Sequence, residues 1–372
     1  MPTLSIDDLK RLIRKMEFDK TEPELLVELV NKAMKSGEGE KERLKKIIEK
    51  SNSLFKLLAD NDLFCYIEEK EDVLEKLKKI PVGAVDGSFQ VVGGRGGKWY
   101  AILGISQLIA ENGFTLNPTV KVDGLIEPLE AVDEADARKK SEIVMLLGEI
   151  KATRAIAERL SHKGESYIFV DGPVIDPPLY MDENYIDERV EAFKFCDKNN
   201  VGIIGFVKRI LGREYLNFVK EEFEIETVDE FTNDLDLLST VMFIAIKTIK
   251  SPVYTYPLSY GEAEEAMYAY KTYKEKGLNI YYSYYKPTLR SRIYRVEYAS
   301  SKELNEIKVN EIFRKIFSLL NKVWTLTGLN EPLPIIIAHN KCNVRQGAAE
   351  KLYYEIMTRA LSEGEIHFWL ES

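Results

Sequence analysis

Two short stretches of the chain determine the expected fold: GAVDGSF at residues 83–89 and YIFVDGP at residues 167–173. In each, an apolar run typical of a buried strand leads into Asp-Gly, at Asp86 and Asp171. Glycine lets the backbone turn sharply, so the preceding aspartate is predicted to project beyond the sheet. Because ligand sites of open α/β sheets form where strands end, we expect the two carboxylates to lie together.

Strands and helices alternate around these two stretches. Between them we predict strands near 99–110 and 115–126, joined at Asn112-Gly113, and an amphipathic helix over 133–160. Later predicted elements are helices near 183–198, 234–249, 302–326 and 343–361, and strands near 201–207, 278–285, 292–299 and 333–338. This interleaving predicts one α/β domain over residues 81–372, preceded by a helical region over residues 1–80.

The composition limits the chemistry that the chain can perform. Its 372 residues carry a net charge of −9 and include only 3 histidines and 3 cysteines. Cys65, Cys196 and Cys342 form no C-x-x-C pair, which argues against a structural zinc site. The negative balance argues against wrapping nucleic acid by bulk charge, although a local basic groove still binds phosphates. Catalysis is therefore expected to depend mainly on carboxylates.

The sequence shows no signal for a membrane or for export. No run of about 18 apolar residues is present, and the start, MPTLSIDDLK, lacks the basic-then-apolar pattern of a signal peptide. We therefore expect a cytoplasmic protein that does not contact a membrane.

A third carboxylate is expected on the helix over 133–160. Glu142 and Glu149 are seven residues apart and fall on one line of that helix, at the rim of its apolar face. Adjacent carboxylates repel each other, and a divalent cation between them removes the repulsion. Oxygen ligands favour Mg²⁺ or Mn²⁺ over zinc. The alternatives stay open: Asp-Gly is also ordinary turn chemistry, and either glutamate could be a surface residue.

The order strand-Asp, hairpin, helix-Glu, strand-Asp is that of the metal site in the ribonuclease H-like fold. Together with GAVDGSF, YIFVDGP and the late LPIIIAHNKCNVR at residues 333–345, it resembles the NurA family of DNA-end nucleases, which work with the hexameric ATPase HerA. The resemblance implies a ribonuclease H-like mixed sheet, a homodimer, and Mn²⁺- (or Mg²⁺-) dependent cleavage of single-stranded DNA and duplex ends during end resection.

Residue roles follow from this resemblance. Asp86 and Asp171 look like the family's metal-binding aspartates, and Glu149 looks like its helix glutamate. His339 looks like its late histidine and Tyr298 like its active-site tyrosine. His339 is also predicted to lie where the strand over 333–338 ends, where an imidazole could polarise a phosphate oxygen or relay a proton. A hydrogen-bonded structural histidine is the alternative.

Contacts to DNA and to a partner are expected in three segments. GGRGGK (93–98) is not a Walker loop, since Val92 and Trp99 occupy the positions of its first glycine and its Ser/Thr. The basic residues predicted to contact DNA are Arg95, Lys98, Lys286, Arg290, Arg292 and Arg295. The last four are interleaved with tyrosines, as in channels that bind single-stranded nucleic acid. A well-paired two-stranded β-ribbon explains the pattern equally. Phe368, Trp369 and Leu370 either fold back on the core or contact the ATPase.

Two other functions are compatible with the same residues. An ATP-binding protein of the actin or sugar-kinase type shares the core topology, but it would need a doubled domain and phosphate-binding glycine turns. A non-catalytic adaptor would use the two Asp-Gly steps only as turns.

Overall fold

A mixed sheet, with ten strands among the residues that the structure describes, forms the centre of the fold. The computed structural model describes residues 22–67, 71–94, 98–114, 117–175, 182–223, 231–260, 267–326 and 328–361. The strands are β1 (Phe64–Tyr66), β2 (Val82–Gly93), β3 (Trp99–Ala110), β4 (Thr119–Leu129), β5 (Ser166–Asp171), β6 (Val201–Val207), β7 (Val253–Thr255), β8 (Leu258–Ser259), β9 (Asn279–Lys286) and β10 (Tyr294–Ser300). The helices are α1 (Pro23–Asp60), α2 (Glu71–Leu77), α3 (Glu134–Leu160), α4 (Glu183–Lys198), α5 (Glu214–Phe223), α6 (Asp234–Ile249), α7 (Met267–Glu275), α8 (Glu306–Leu319), α9 (Leu333–Cys342) and α10 (Gln346–Leu361).

The strand order is β1-β7-β9-β10-β6-β5-β2-β3-β4, with β8 beside β9. β2, β3 and β4 form an antiparallel meander, and α3 then carries the chain back so that β5 lies parallel to β2. β6 continues parallel to β5, and β10 and β9 extend the sheet antiparallel. The order β4-β3-β2-β5-β6, with a helix crossing before β5, is that of a ribonuclease H-like fold, which confirms the predicted fold class.

Helices cover both faces of the sheet. α3, α4 and α6 pack on one face through residues such as Ile156, Phe193 and Val241. α8 and α9 pack on the other face through residues such as Phe313 and Ile335. A strand buried on both faces needs apolar residues at every position, and β6 (VGIIGFV) is buried throughout. The edge at which β5 and β6 end is therefore where polar side chains can emerge.

The segment over 333–338, predicted as a strand, is instead the first part of helix α9. A short apolar run does not distinguish a strand from a buried helix by its periodicity. Pro334 stands in the first turn of α9, where its missing N–H has no helical partner to lose. Ile335 and Ala338, three residues apart, are buried residues of α9 that pack on the sheet.

The N-terminal region contributes more than helices. β1 pairs antiparallel with β7, and α1 packs on α6, where Ser51 Oγ donates to Thr240 Oγ1 at 2.9 Å. The described part of the region is therefore continuous with the sheet, and residues 1–21 lie outside the described residues. Of the helices that the structure describes, none has both the length and the apolar character needed to cross a membrane.

Candidate metal centre

Asp86 and Asp171 lie side by side because of the register between two parallel strands. Val85 of β2 is opposite Val170 of β5, so the next residue of each strand, an aspartate, faces the same side. β5 ends at Asp171, as predicted, but β2 continues beyond Asp86 to Gly93 in unbroken pairing with β3. Asp86 is therefore at the end of the parallel pairing and not, as predicted, at the end of its strand.

Helix α9 is fastened to β2 and β3 at its C-terminal end. Ser106 Oγ donates to Ala338 O at 2.8 Å, and Ser88 Oγ donates to Cys342 O at 2.5 Å. Gly104 allows this approach, since a Cβ there would lie 2.3 Å from Cys342 O. The last turn of α9 is consequently held directly over the two aspartates.

His339 reaches the carboxylates from this last turn of α9 and not from a strand end. Its Nδ1 lies 2.8 Å from Asp86 Oδ2 and 3.8 Å from Asp171 Oδ2. The aspartate side chains are only 8% and 13% exposed, whereas the imidazole is 56% exposed. The ring thus connects a nearly buried carboxylate pair to solvent.

The electrostatics of Asp86 favour a cation at this position. Burial raises its pKa, and the negative charge of Asp171 raises it further. The hydrogen bonds from the Cys342 thiol and from His339 oppose this shift, but the net pKa of Asp86 stays above its ordinary value. A positive ion next to both carboxylates would remove the repulsion that raises the pKa.

Lys208 supplies the positive charge closest to Asp171 among the contacts described. Its Nζ donates to Asp171 Oδ2 at 2.8 Å and lies 3.3 Å from Glu331 Oε2. Burial lowers the pKa of Lys208, but the charges of Asp171 and Glu331 outweigh burial and raise it overall. Lys208 was missed in the sequence, although its position directly after the apolar strand β6 is the same signal that identified Asp171.

Glu149 approaches from α3, on the other face of β2. Its buried carboxylate lies over Gly87: a Cβ on that glycine would be 2.8 Å from Glu149 Oε1. Burial is the largest cause of the raised pKa of the Cys342 thiol, and the charge of Asp86 is the next. The charge of Glu149 raises this pKa further, so Glu149 lies near the thiol. Glu149 is thus close to Gly87, which follows Asp86, and to Cys342. Glu142, the other candidate, is half-buried two turns earlier on α3.

The residues that can share one ion are fewer than the residues around it. Within the described ranges, Asp86, Asp171 and His339 offer ligand atoms that all lie within 4.8 Å of one another. Two carboxylates and one imidazole form a donor set that fits Mn²⁺, and its oxygen-rich character also suits Mg²⁺. Glu149 is not in that group of atoms, so its carboxylate stands next to the site and not within it.

Tyr298 is not near the carboxylates, contrary to its predicted role. It lines a cavity of about 660 Å³ together with Ser166 and Val201. These two residues begin β5 and β6, whereas Asp171 ends β5. The backbone of Tyr298 is opposite Ile204 in the middle of β6, but its ring lies against Gly202, near the start of that strand, where a Cβ would be 2.9 Å from Tyr298 Cε2. The side chain therefore extends away from the strand ends that carry the carboxylates.

The predicted DNA contacts divide into buried and exposed residues. The charged groups of Lys286 and Arg295 form hydrogen bonds within the protein. Lys286 Nζ donates to Ser291 O at 2.5 Å, and Arg295 Nε donates to Glu297 Oε1 at 2.9 Å. The prediction that these two cations contact DNA is corrected, since the hairpin of β9 and β10 is a covered part of the sheet. Lys98, Arg290 and Arg292 are exposed. Arg95, Phe368, Trp369 and Leu370 lie outside the described residues.

Comparisons with known proteins give one matching family model and several similar solved structures. A family model of the NurA domain matches residues 81–344. No curated protein matches the chain. A solved structure of NurA with manganese is 11% identical, with 86% of this chain and 96% of that chain covered and a TM-score of 0.48. Endonuclease V of Bacillus subtilis is 10% identical (78% and 95% covered, TM-score 0.34). Endonuclease V of Ciona intestinalis, solved in complex with a 24mer DNA, is 13% identical (82% and 98% covered, TM-score 0.34).

Proposed function

Since this chain belongs to the NurA family, we propose that it is a metal-dependent DNA nuclease whose active site is built on Asp86 and Asp171. The observation that carries the proposal is the strand register that brings these carboxylates within 4.8 Å of each other and of a His339 nitrogen. Asp86 and Asp171 would hold Mn²⁺ (or Mg²⁺), with Glu149 supporting the site from α3. Such ions activate a water and stabilise the leaving oxygen in phosphodiester cleavage.

The chain's own residues would bind and orient the substrate around this site. Asp86 fixes the His339 ring through Nδ1, which leaves the solvent-exposed part of the imidazole available to a phosphate oxygen or a proton. Lys208, already held by Asp171 and Glu331, adds a positive charge where the negative charge of the transition state develops. Lys208 and the imidazole of His339 would flank the scissile phosphate.

Exposed basic residues support a path for the DNA strand. Arg295 of β10 pairs with Val207, near the end of β6, and Asp171 pairs with Phe206. The loop that precedes β10 therefore extends from the same edge of the sheet as the carboxylates. We propose that Arg290 and Arg292 in this loop contact phosphates, together with Lys98 and Arg95.

The net charge of −9 supports weak binding to DNA without a partner, because non-specific affinity comes from phosphate neutralisation. We propose that a hexameric HerA-type ATPase moves the DNA strand to a homodimer of this protein in the cytoplasm. The reactions are 5′–3′ exonuclease and single-strand endonuclease cleavage in the resection of DNA ends. Phe368, Trp369 and Leu370 are proposed as an apolar contact for the ATPase. Co-purification of wild type, but not of a variant lacking residues 362–372, would support that contact.

The nuclease proposal is tested by cleavage of labelled single-stranded and duplex DNA with Mn²⁺. We expect Asp86→Asn to lose more than about 100-fold of the activity, since even residues around metal ligands contribute about 10–100-fold. The control is Asp187→Asn, which changes an exposed aspartate that pairs with Lys276 and should cleave like wild type. Undiminished cleavage by Asp86→Asn would overturn the proposal, and activity that survives chelation by EDTA would remove the metal from it.

A further inference from the structure

The three residues that follow Asp171 pack closely against the last residues of β6. Gly172 adopts a φ of +127°, which glycine tolerates and other residues do not, and it bridges to Phe206. Gly205 leaves room for the segment, since a Cβ there would lie 2.9 Å from both Val174 N and Val174 Cγ2. The path of Gly172–Val174 is thus set by close backbone contact with β6.

Arg189, on α4, holds this segment from one side. Its Nη2 donates to Pro173 O at 2.9 Å and its Nε donates to Val174 O at 3.0 Å. Its Nη1 donates to Tyr185 OH at 2.8 Å, and the guanidinium lies over the Phe193 ring at 5.0 Å. Arg189 is 2% exposed, so its fork of donors is directed at backbone carbonyls inside the protein.

Glu297, on β10, holds the same segment from the other side. Its Oε2 accepts the Val174 N–H at 2.6 Å. Its Oε1 accepts from Tyr260 OH at 2.8 Å and from Arg295 Nε at 2.9 Å. Glu297 is completely buried, and the N–H and the C=O of Val174 are therefore each bonded to a buried charged side chain.

Burying the charges of Arg189 and Glu297 costs free energy, and the N–H and C=O of Val174 and the C=O of Pro173 could instead bond to neutral groups or water, as backbone groups in turns commonly do. We infer that Arg189 and Glu297 are positioning residues for Asp171: they fix Gly172–Val174, so that the Asp171 carboxylate stays beside Asp86 at the distance that a shared ion requires. This inference rests on the proposed metal site. Neither side chain makes a described contact with Asp86, Asp171 or His339, so their effect would pass through the backbone.

The test is the Mn²⁺ dissociation constant of the full chain, measured without DNA from the EPR signal of free Mn²⁺. Arg189→Lys keeps the charge but loses the planar fork that reaches two carbonyls. We expect its Kd for Mn²⁺ to rise by about 10–100-fold, the range known for residues that orient metal ligands. Leu58→Ala is the control: it opens a cavity under α1, where Leu58 is fully buried, and should lower the melting temperature with a wild-type Kd for Mn²⁺.

A second variant keeps the inference testable if Arg189→Lys does not fold. Glu297→Gln preserves shape and one acceptor oxygen, but its amide cannot accept from Tyr260 and Arg295 while also accepting from Val174, so the Kd for Mn²⁺ should again rise. A wild-type Kd in the folded variants would overturn the positioning role and leave the metal site standing. Wild-type protein that binds no Mn²⁺ would overturn both, so the two failures are distinguishable.

Discussion

Asp171 and Glu297 lie beside successive residues of β6, Phe206 and Gly205, and therefore face opposite sides of the sheet. Glu297 is enclosed, and its oxygens accept from a backbone amide, a tyrosine and Arg295. Asp171 lies beside another carboxylate and under a half-exposed histidine. Glu297, which accepts hydrogen bonds only from groups of the protein in the contacts described, stabilises the fold. Asp86 and Asp171 repel each other, and a bound cation would relieve this repulsion.

The largest effect expected from this comparison is on stability without metal. Glu297→Ala should reduce the free energy of unfolding by about 3–5 kcal/mol, because it removes the nearest counter-charge of the buried Arg295. Asp86→Asn should leave this free energy unchanged or raise it, because it removes the repulsion with Asp171. Urea denaturation in EDTA measures both. A loss for Asp86→Asn as large as that for Glu297→Ala would show that Asp86 is a structural residue like Glu297.

Lys208 sharpens the comparison because it is the one described cation bonded to Asp171. Lys208→Met should tighten Mn²⁺ binding, since no ammonium group then competes for Asp171. It should nevertheless slow cleavage by about 100-fold, the cost of losing one group that stabilises the transition state. Lys315→Met is the control for both measurements, since Lys315 lies on α8 and pairs with Glu165. Weaker Mn²⁺ binding by Lys208→Met would instead give Lys208 a purely structural role.

Gly87 tests whether Glu149 belongs to the site. A methyl group at Gly87 would lie 2.8 Å from Glu149 Oε1 and 2.7 Å from Met145 Cγ, so the glutamate has to move. Gly87→Ala should reduce Mn²⁺-dependent cleavage by about tenfold, as expected for a group that supports a metal site. Gly124→Ala on β4 is a matched control, since its nearest neighbour would be 4.0 Å away. Equal activities would exclude Glu149 from the reaction.

The sequence predicts most strongly the elements whose signals are local. α4, β6 and α6 have the predicted bounds, 183–198, 201–207 and 234–249. Asp182 and Asn233 cap the two helices by accepting the N–H three residues on, which is a signal readable in sequence. The pairing of Asp86 with Asp171 is likewise foreseeable, because parallel strands that each end their apolar run in aspartate present these residues at one edge.

The rest depends on contacts between distant segments. The run at 333–338 is apolar because α9 lies on the sheet, and no local feature separates that from a buried strand. Lys286 and Arg295 have the sequence appearance of surface cations, but both lie on strands that the sheet and its helices cover, where they bond to Ser291 and Glu297 of the same hairpin. Arg189 and Glu297 are 108 positions apart and meet only through Val174.

A further prediction is a pH dependence of stability that comes from a second enclosed carboxylate, Asp234. It accepts from Leu216 N at 2.8 Å, from Tyr215 N at 3.2 Å and from Tyr284 OH. Burial raises its pKa to about 7 against these hydrogen bonds, and the charge of Glu214 adds to the increase. Between about pH 4 and 7 the folded protein therefore binds more protons than the unfolded chain, so the free energy of unfolding falls as pH rises, by at most about 1.4 kcal/mol per pH unit for one group.

Asp234→Asn should flatten this part of the stability profile, because an amide does not titrate. Asp86, whose pKa is also raised, contributes a slope of the same sign in both proteins, so the difference between the wild-type and variant slopes isolates Asp234. Urea denaturation at several pH values in EDTA gives the two slopes. If they are equal, the three hydrogen bonds to Asp234 keep it ionised in spite of its burial, and internal donors alone are then enough to hold a carboxylate charged in this protein.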